Sequence, residues 1–337
     1  MTKESVHAVG GPWFEDFVHG DTFDAPAVTV TAGHAALQQA LTGDRLRLPL
    51  DHYATRRVTG RARPLAHPLL VINLAIGQTT WASQRVKANL FYRGLVLHRQ
   101  VLLGDTLRTV TRVVGLRQNR PQPGRPATGV VALEMTTYNQ RGQEVLHFWR
   151  CPMIPCRDPE ARTGRMDDLE RIGRSVTIDD VRAALPPWHV DEAARDWLGT
   201  KAESVAPGMR FVVESRDTVT MAPELVRLTL NMAMTHTDAR LSYLDDRLVY
   251  GGHTISLAFA QVTRAFPNLL TLLAWESCDH TAPVVENDRI RTEVTLLEKQ
   301  AVTHGALLKL RARSWAARGE PEKEEPVLDW VFWAWSA

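Results

Sequence analysis

The residues of this sequence best suited to chemistry gather just before and inside Val249–Val262. There Tyr250-Gly251-Gly252-His253 opens an apolar run that carries no charge until Arg264. Two glycines at the start of a helix let backbone N–H groups approach a ligand, and the first four such donors have no partner within the helix. Donors of that kind polarise a carbonyl. His253 adds an imidazole at the same place, and the positive end of the helix dipole favours its neutral form, which suits a base. The plainer reading of His253 is a hydrogen bond to a neighbouring loop. Slightly upstream, His236 and Asp238 put an imidazole and a carboxylate in one loop, a pair able to take and return a proton. His236 reads more readily as a surface loop residue, and Asp238 is the stronger candidate because its loop position matches that of Asp44.

Other constellations are poorer. Cys151 and Cys156, with His147 nearby, have no second cluster to complete a zinc site, so no metal is expected. The basic, proline-rich loop Arg117–Arg125 reads as a hairpin tip or as a contact for phosphates, and Glu322–Glu325 as a solvated loop. There is no Gly-rich phosphate loop, nucleophile elbow or dinucleotide fingerprint, and no cofactor is expected. A net charge of +2, mixed in sign along the chain, makes no electrostatic case for nucleic acid or membrane. No apolar run reaches the roughly 18 residues of a membrane span. The first seven residues have no apolar signal core. Three sparse cysteines fit a reducing, cytoplasmic setting better than a disulfide framework.

These candidates need elements to hold them. A helix that is apolar all round cannot lie on a surface, so something must wrap Val249–Val262. Leu65–Gly77 is a second run of the same character, about 186 residues earlier. After it come four strand candidates, Ala88–Val96, Thr106–Val114, Gly129–Tyr138 and Glu144–Met153, separated by turn residues. Before it, Val28–Thr31 reads as a short strand, and Thr31 caps a helix that ends near Gly43. Residues 157–200 are richer in charge. They predict two short helices, one from Ile178 capped by Thr177 and one from Asp191 to Gly199.

The second part of the chain echoes the first in the same order. Pro207–Phe211 follows His19–Phe23, and a helix through Leu225, Leu228 and Leu230 follows Val28–Leu41. Thr235–Asp238 takes the place of Thr42–Asp44, and Glu286–Thr292 that of Leu103–Thr109, at offsets of about 183 to 194 residues. Collinear matches of this kind point to a duplicated unit. The chain of 337 residues, 44% of them apolar, is long enough for two domains with real cores. The expected division is an N-terminal unit over 1–157, a helical connector over 158–200 and a C-terminal unit over 201–337. Four of ten tryptophans (Trp315, Trp330, Trp333 and Trp335) lie in the last 23 residues, where a docked final strand is expected.

A long helix wrapped by an antiparallel sheet is the hotdog fold, and the expected fold class is α+β, a double hotdog. Thr42-Gly43-Asp44, Ala66-His67 and Leu103–Leu107 resemble the MaoC-like dehydratases and (R)-specific enoyl-CoA hydratases. Lys87–Tyr92, Val114–Asn119, Asn139–Leu146 and Leu248–Leu257 are most similar to the double-hotdog mesaconyl-CoA hydratase (β-methylmalyl-CoA dehydratase) group. The resemblance implies addition or removal of water across the α,β-bond of an acyl thioester. It also implies a Gly-Asp-x-Asn-Pro-x-His loop, whose Asp and His stand five residues apart.

Neither half matches that loop. Five residues after Asp44 stands Pro49, and five after Asp238 stands Tyr243, while the group's His aligns with Ser242. Pro68 replaces a glycine at the first buried helix and has no N–H to donate. The first unit is therefore expected to be structural and the second catalytic. Asp238, His253 and His236 are the acid–base candidates; Gly251, Gly252, Tyr250, Ser242, Tyr243 and Asp44 are candidates for substrate binding. The expected partner is an acyl-CoA or acyl-carrier thioester, and the expected state a pseudo-dimeric monomer or a homodimer. The incomplete loop keeps an alternative open: a hotdog thioesterase, or a non-hydrating cyclase-like or acyl-binding protein.

Overall fold

The computed structural model describes residues 7–190, 194–195, 197–244, 246–319 and 321–337. The chain forms a 12-stranded antiparallel sheet that winds past two long central helices. In the first half these are β1 (Thr22–Asp24), β2 (Val28–Thr29), β3 (Ala88–Leu97), β4 (Thr106–Gln118), β5 (Thr128–Asn139) and β6 (Glu144–Pro155). The second half repeats them as β7 (Arg210–Val212), β8 (Asp217–Thr218), β9 (Leu269–His280), β10 (Arg289–Ala301), β11 (Ala306–Arg318) and β12 (Lys323–Ser336). The strand order β1-β4-β5-β6-β3-β9-β12-β11-β10-β7 reads the same outward from its centre, each strand facing its duplicate. β3 and β9 pair antiparallel from Tyr92↔Cys278 to Val96↔Ala274, so one sheet runs through both halves.

Each half wraps one central helix, Pro68–Thr79 or Gly251–Ala265. Every residue of the first is buried, and so is the second from Gly252 to Thr263. Helices apolar nearly all round must be covered on every side, and here the sheet and the helix Ala32–Thr42 lie against both. The two meet at Asn73 and Ser256, equivalent positions 183 residues apart, where Asn73 Nδ2 donates to Ser256 Oγ at 3.1 Å. Asn73 Oδ1 accepts from the Tyr250 hydroxyl at 3.2 Å, so polar groups at this crossing are paired. The C-terminal strand is docked as its tryptophans predict: Trp330 stacks on Phe332 at 4.0 Å between ring centroids and meets Trp275 edge-on. Trp315 differs, lying on the outer face of β11 beside Arg291 and Arg313.

Thr31 caps Ala32–Thr42 and Gly43 ends it in the left-handed region; Thr177 caps Ile178–Ala183. Much of the second connector helix, at Asp191–Ala193 and Asp196, lies outside the described residues. The helix expected through Leu230 stops at Leu228, because Leu230 has a positive φ of 56° that an α-helix cannot contain. Among the described residues no helix is long and apolar enough to cross a membrane.

One close approach ties the halves together. A Cβ built on Gly77, in the first central helix, would lie 1.8 Å from the backbone oxygen of Thr229. Gly77→Ala therefore forces backbone apart, and its expected cost is about 3 kcal/mol in urea unfolding. Gly33→Ala, in an exposed helix with only the Thr31 hydroxyl nearby, should instead stabilise by about 0.5 kcal/mol. Equal stability of the two variants would refute this packing.

Candidate active site

The start of the second central helix, Tyr250-Gly251, opens onto a cavity of about 230 Å³. His236, Asn231 and Thr235 line it from the preceding loop, and His280 and Val284 from the end of β9 and beyond. Ile76 and Thr80 reach it from the other half, with Lys87, Tyr92 and Arg150. Tyr243, about half exposed, stands at its mouth.

The two halves build this corner with the same backbone and different side chains. In the first, Thr42 bonds back to Gln38 O, Gly43 turns through a φ of 61°, and Asp44 Oδ1 accepts from Leu46 N at 2.7 Å. In the second, Thr229 bonds back to Leu225 O, Leu230 turns through a φ of 56°, and Asn231 Oδ1 accepts from Ala233 N at 2.9 Å. Asn231 is thus the counterpart of Asp44, and His236 follows it by five residues, the spacing of the family's Asp and His. The register expected from sequence, with Asp238 opposite Asp44, is corrected by this geometry. Sequence reasoning passed over Asn231 because it sought a carboxylate; the five-residue spacing back from His236 was the available signal.

The loop is braced from the first half. Met232 N donates to Thr80 Oγ1 at 2.9 Å and Met234 N to Gln84 O at 2.8 Å. His236 Nδ1 donates to Leu248 O at 2.7 Å, since a carbonyl can only accept, and this leaves its Nε2 as a lone-pair acceptor. Burial pushes His236 down to about 4, with Arg150 adding to the shift and the Leu248 carbonyl opposing it, so the ring is neutral near pH 7.

The helix starts differ as well. In the first half Pro68 has no N–H, and His67 Nδ1 accepts from Leu69 N at 3.1 Å, so its leading donors are spent. In the second, Tyr250 provides no side-chain cap, and Gly251 borders the cavity. A Cβ on Gly251 would come within 2.4 Å of His280 Nε2, so only glycine lets that imidazole lie against the helix start. Gly252 turns away from the cavity, toward Asn73 Oδ1 and the Tyr250 ring.

The remaining candidates fall elsewhere. Asp238 caps a short 3-10 turn, accepting from Arg240 N at 3.0 Å and pairing with its guanidinium at 2.7 Å, outside the cavity lining. Ser242 Oγ accepts from Leu244 N and is likewise outside it. His253 is 0% exposed, lies off the cavity, and has no hydrogen-bond partner at either ring nitrogen among the described residues. Asp44 is buried in the other half, its Oδ1 3.0 Å from His67 Nε2, although the geometry falls short of a hydrogen bond.

Arg150 was not anticipated. It is 4% exposed, its Nη2 donates to Ser83 Oγ at 2.5 Å and Thr79 O at 3.4 Å, and its Nε has no partner. Among the described residues no carboxylate pairs with it. The C-terminal carbonyls of the first central helix offset part of its charge. A buried guanidinium without an anion is costly unless a ligand provides one.

Comparison with known proteins agrees with this architecture. The chain is 31% identical to a β-methylmalyl-CoA dehydratase of Chloroflexus aurantiacus, covering 95% of this chain and 92% of that one. It is 30% identical to a mesaconyl-CoA hydratase of Cereibacter sphaeroides, covering 96% and 97%. The chain belongs to the family of these MaoC-like double-hotdog hydratases and dehydratases. Among solved structures, a conserved hypothetical Mycobacterium tuberculosis protein with a double hotdog fold superposes with a TM-score of 0.90 at 47% identity, covering 98% and 100% of the two chains. A putative MaoC domain protein dehydratase of Chloroflexus aurantiacus gives 0.87 at 28% identity, covering 98% and 99%. No protein-family model matches the chain.

The buried imidazoles set a pH dependence. Burial pushes His236, His253 and His280 each down to about 4 from an ordinary value of 6.5. As pH falls through 6.5 the unfolded chain takes up protons that the folded chain refuses, so stability is full above that value and declines toward about 4. His253→Leu removes one such group. In urea melts it should recover about 2 kcal/mol of the wild-type loss between about pH 7.5 and about pH 5. Parallel acid limbs for the two proteins would contradict the burial of a neutral His253.

Proposed function

We propose that this protein is a hydratase/dehydratase acting on an α,β-unsaturated acyl-CoA thioester, with His236 as its proton-transfer group. The observation that carries the reading is the oriented His236 Nε2, five residues after Asn231, in a cavity that ends at the uncapped start of the Gly251–Ala265 helix. The thioester oxygen accepts from backbone N–H at Gly251, which draws charge toward it as the bond to water forms. His236 Nε2 removes a proton from water, the hydroxyl joins the β-carbon, and the same imidazole returns the proton to the α-carbon. Asn231 Nδ2 donates to the water but cannot accept its proton, which leaves that task to His236. Lys87, near the cavity mouth, offers a cation to the phosphates of the carrier.

The acyl group we assign is one bearing a second carboxylate, mesaconyl-CoA or a close relative. Both curated relatives carry names for thioesters of dicarboxylic acids, and Arg150 is the unpaired buried cation that such a carboxylate would meet. A second reading, thioester hydrolysis, is favoured by the asparagine at position 231, since attack on the polarised carbonyl also needs only one base. Release of free thiol separates it from loss of enoyl absorbance.

His236→Asn should lower kcat on mesaconyl-CoA by about 10²–10⁴, the range of a general acid–base group. Asp238→Asn should stay within about threefold of wild type, and the reverse ranking would remove His236 from the reaction. Arg150→Met should reduce kcat/KM for mesaconyl-CoA about 10²-fold more than for crotonyl-CoA, the usual size of a lost buried charge pair. An equal effect on both thioesters would mean that Arg150 does not read the carboxylate.

A further inference from the structure

A second imidazole in the cavity has no role in the reaction as drawn so far. His280, the last residue of β9, lines the cavity with its Nε2 sealed from solvent and without a hydrogen-bond partner among the described residues. That nitrogen would lie 2.4 Å from a Cβ on Gly251, which places it beside the first residue of the central helix. The Gly251 backbone and the His280 side chain therefore lie side by side in the cavity wall. A buried polar atom left unpaired costs roughly 1–3 kcal/mol, so one on a side chain that lines the cavity asks for a ligand atom.

We infer that His280 Nε2–H and the Gly251 N–H together hold the thioester oxygen, His280 being a side-chain member of the oxyanion hole. The inference rests on the hydratase reading and adds a residue to it. As hydroxyl adds to the β-carbon, the π electrons move toward the α-carbon and the thioester oxygen gains negative charge. Both donors strengthen their bonds to that oxygen and keep their protons; His236 alone carries a proton from water to the α-carbon. No other reactant is required.

The surroundings keep His280 a donor rather than an acid. Burial, with a smaller contribution from His236, pushes it down to about 4, so it is neutral near pH 7 and has one N–H to give. The ionisable groups around the same cavity are His236, Lys87, Arg150, Tyr92, Tyr243 and Tyr250. Among the described residues that line it, none is a carboxylate that would draw His280 into its charged form. The positive end of the helix dipole acts in the same direction.

The test uses the full-length protein with mesaconyl-CoA and crotonyl-CoA. His280→Leu removes the donor and His280→Gln keeps one. The expected result is a fall in kcat of about 10²–10³ for His280→Leu, with KM within about threefold and partial recovery in His280→Gln. The carbonyl stretch of thioester bound to His236→Asn protein should shift to lower frequency by infrared difference spectroscopy, and His236→Asn/His280→Leu should lose much of that shift. Unchanged kcat in His280→Leu, or the full carbonyl shift in the double variant, overturns the assignment. Should wild-type protein turn over neither thioester, the hydratase reading fails. The infrared comparison still decides whether His280 touches the carbonyl, and it does so with His280→Ala, which also removes the donor, if the leucine variant does not fold.

Discussion

The structure depends on the contact between its two central helices. Each is apolar nearly all round, and neither half's sheet can cover both of its sides. Asn73 and Ser256 mark where the helices cross, with the Tyr250 hydroxyl bonded to the same asparagine. Because β3 and β9 join the sheets edge to edge, the surface that a lone hotdog would leave open is closed within one chain. The crossing also places the end of the first helix directly beneath the loop of the second half. Thr80 and Gln84 accept from Met232 and Met234, and Gly77 lets Thr229 come close, so the first half holds the loop that carries Asn231 and His236.

Duplication provides two equivalent corners, and substitution has made them unequal. In the first, Asp44 and His67 lie buried against each other, and Pro68 with the His67 cap consumes the donors of the helix start. In the second, an uncapped helix start faces a cavity bordered by Asn231, His236 and His280. The acidic residue of the family loop thus persists in the half whose helix cannot donate, while the half that can donate has an amide in its place. Among the described residues, an uncapped helix start and imidazoles that border a cavity occur together in the second half.

Polar groups in the second corner are costly to bury. Three imidazoles depressed to about 4 oppose folding as pH falls below 6.5, and a guanidinium without a carboxylate partner among the described residues opposes it near neutral pH. His253 fits no ligand-binding account, since it faces away from the cavity. The others share one space, and a thioester with an anionic acyl end would meet them together: its carbonyl at Gly251 and His280, its reacting bond at His236, its carboxylate at Arg150.

By itself the sequence determined the double hotdog, the strands between turn residues, and the start of the second central helix at Tyr250-Gly251. These follow from local periodicity, turn chemistry and a duplicated order, all of which are written along the chain. His236 and Tyr243 were among its candidates, and both border the cavity. It could not show that Asp238 spends its carboxylate on Arg240, or that His253 turns into the core, because a side chain's direction on a turn or buried helix is set by what packs against it. Nor could it align Asn231 with Asp44: the turn between them is a glycine in one half and a left-handed leucine in the other, equivalent in backbone and unlike in letters. Arg150 and His280 come from strands β6 and β9, far along the chain from the loop and the helix. Only the tertiary structure, by pairing those strands through β3 and wrapping them past the helix start, brings the guanidinium and the imidazole to one cavity.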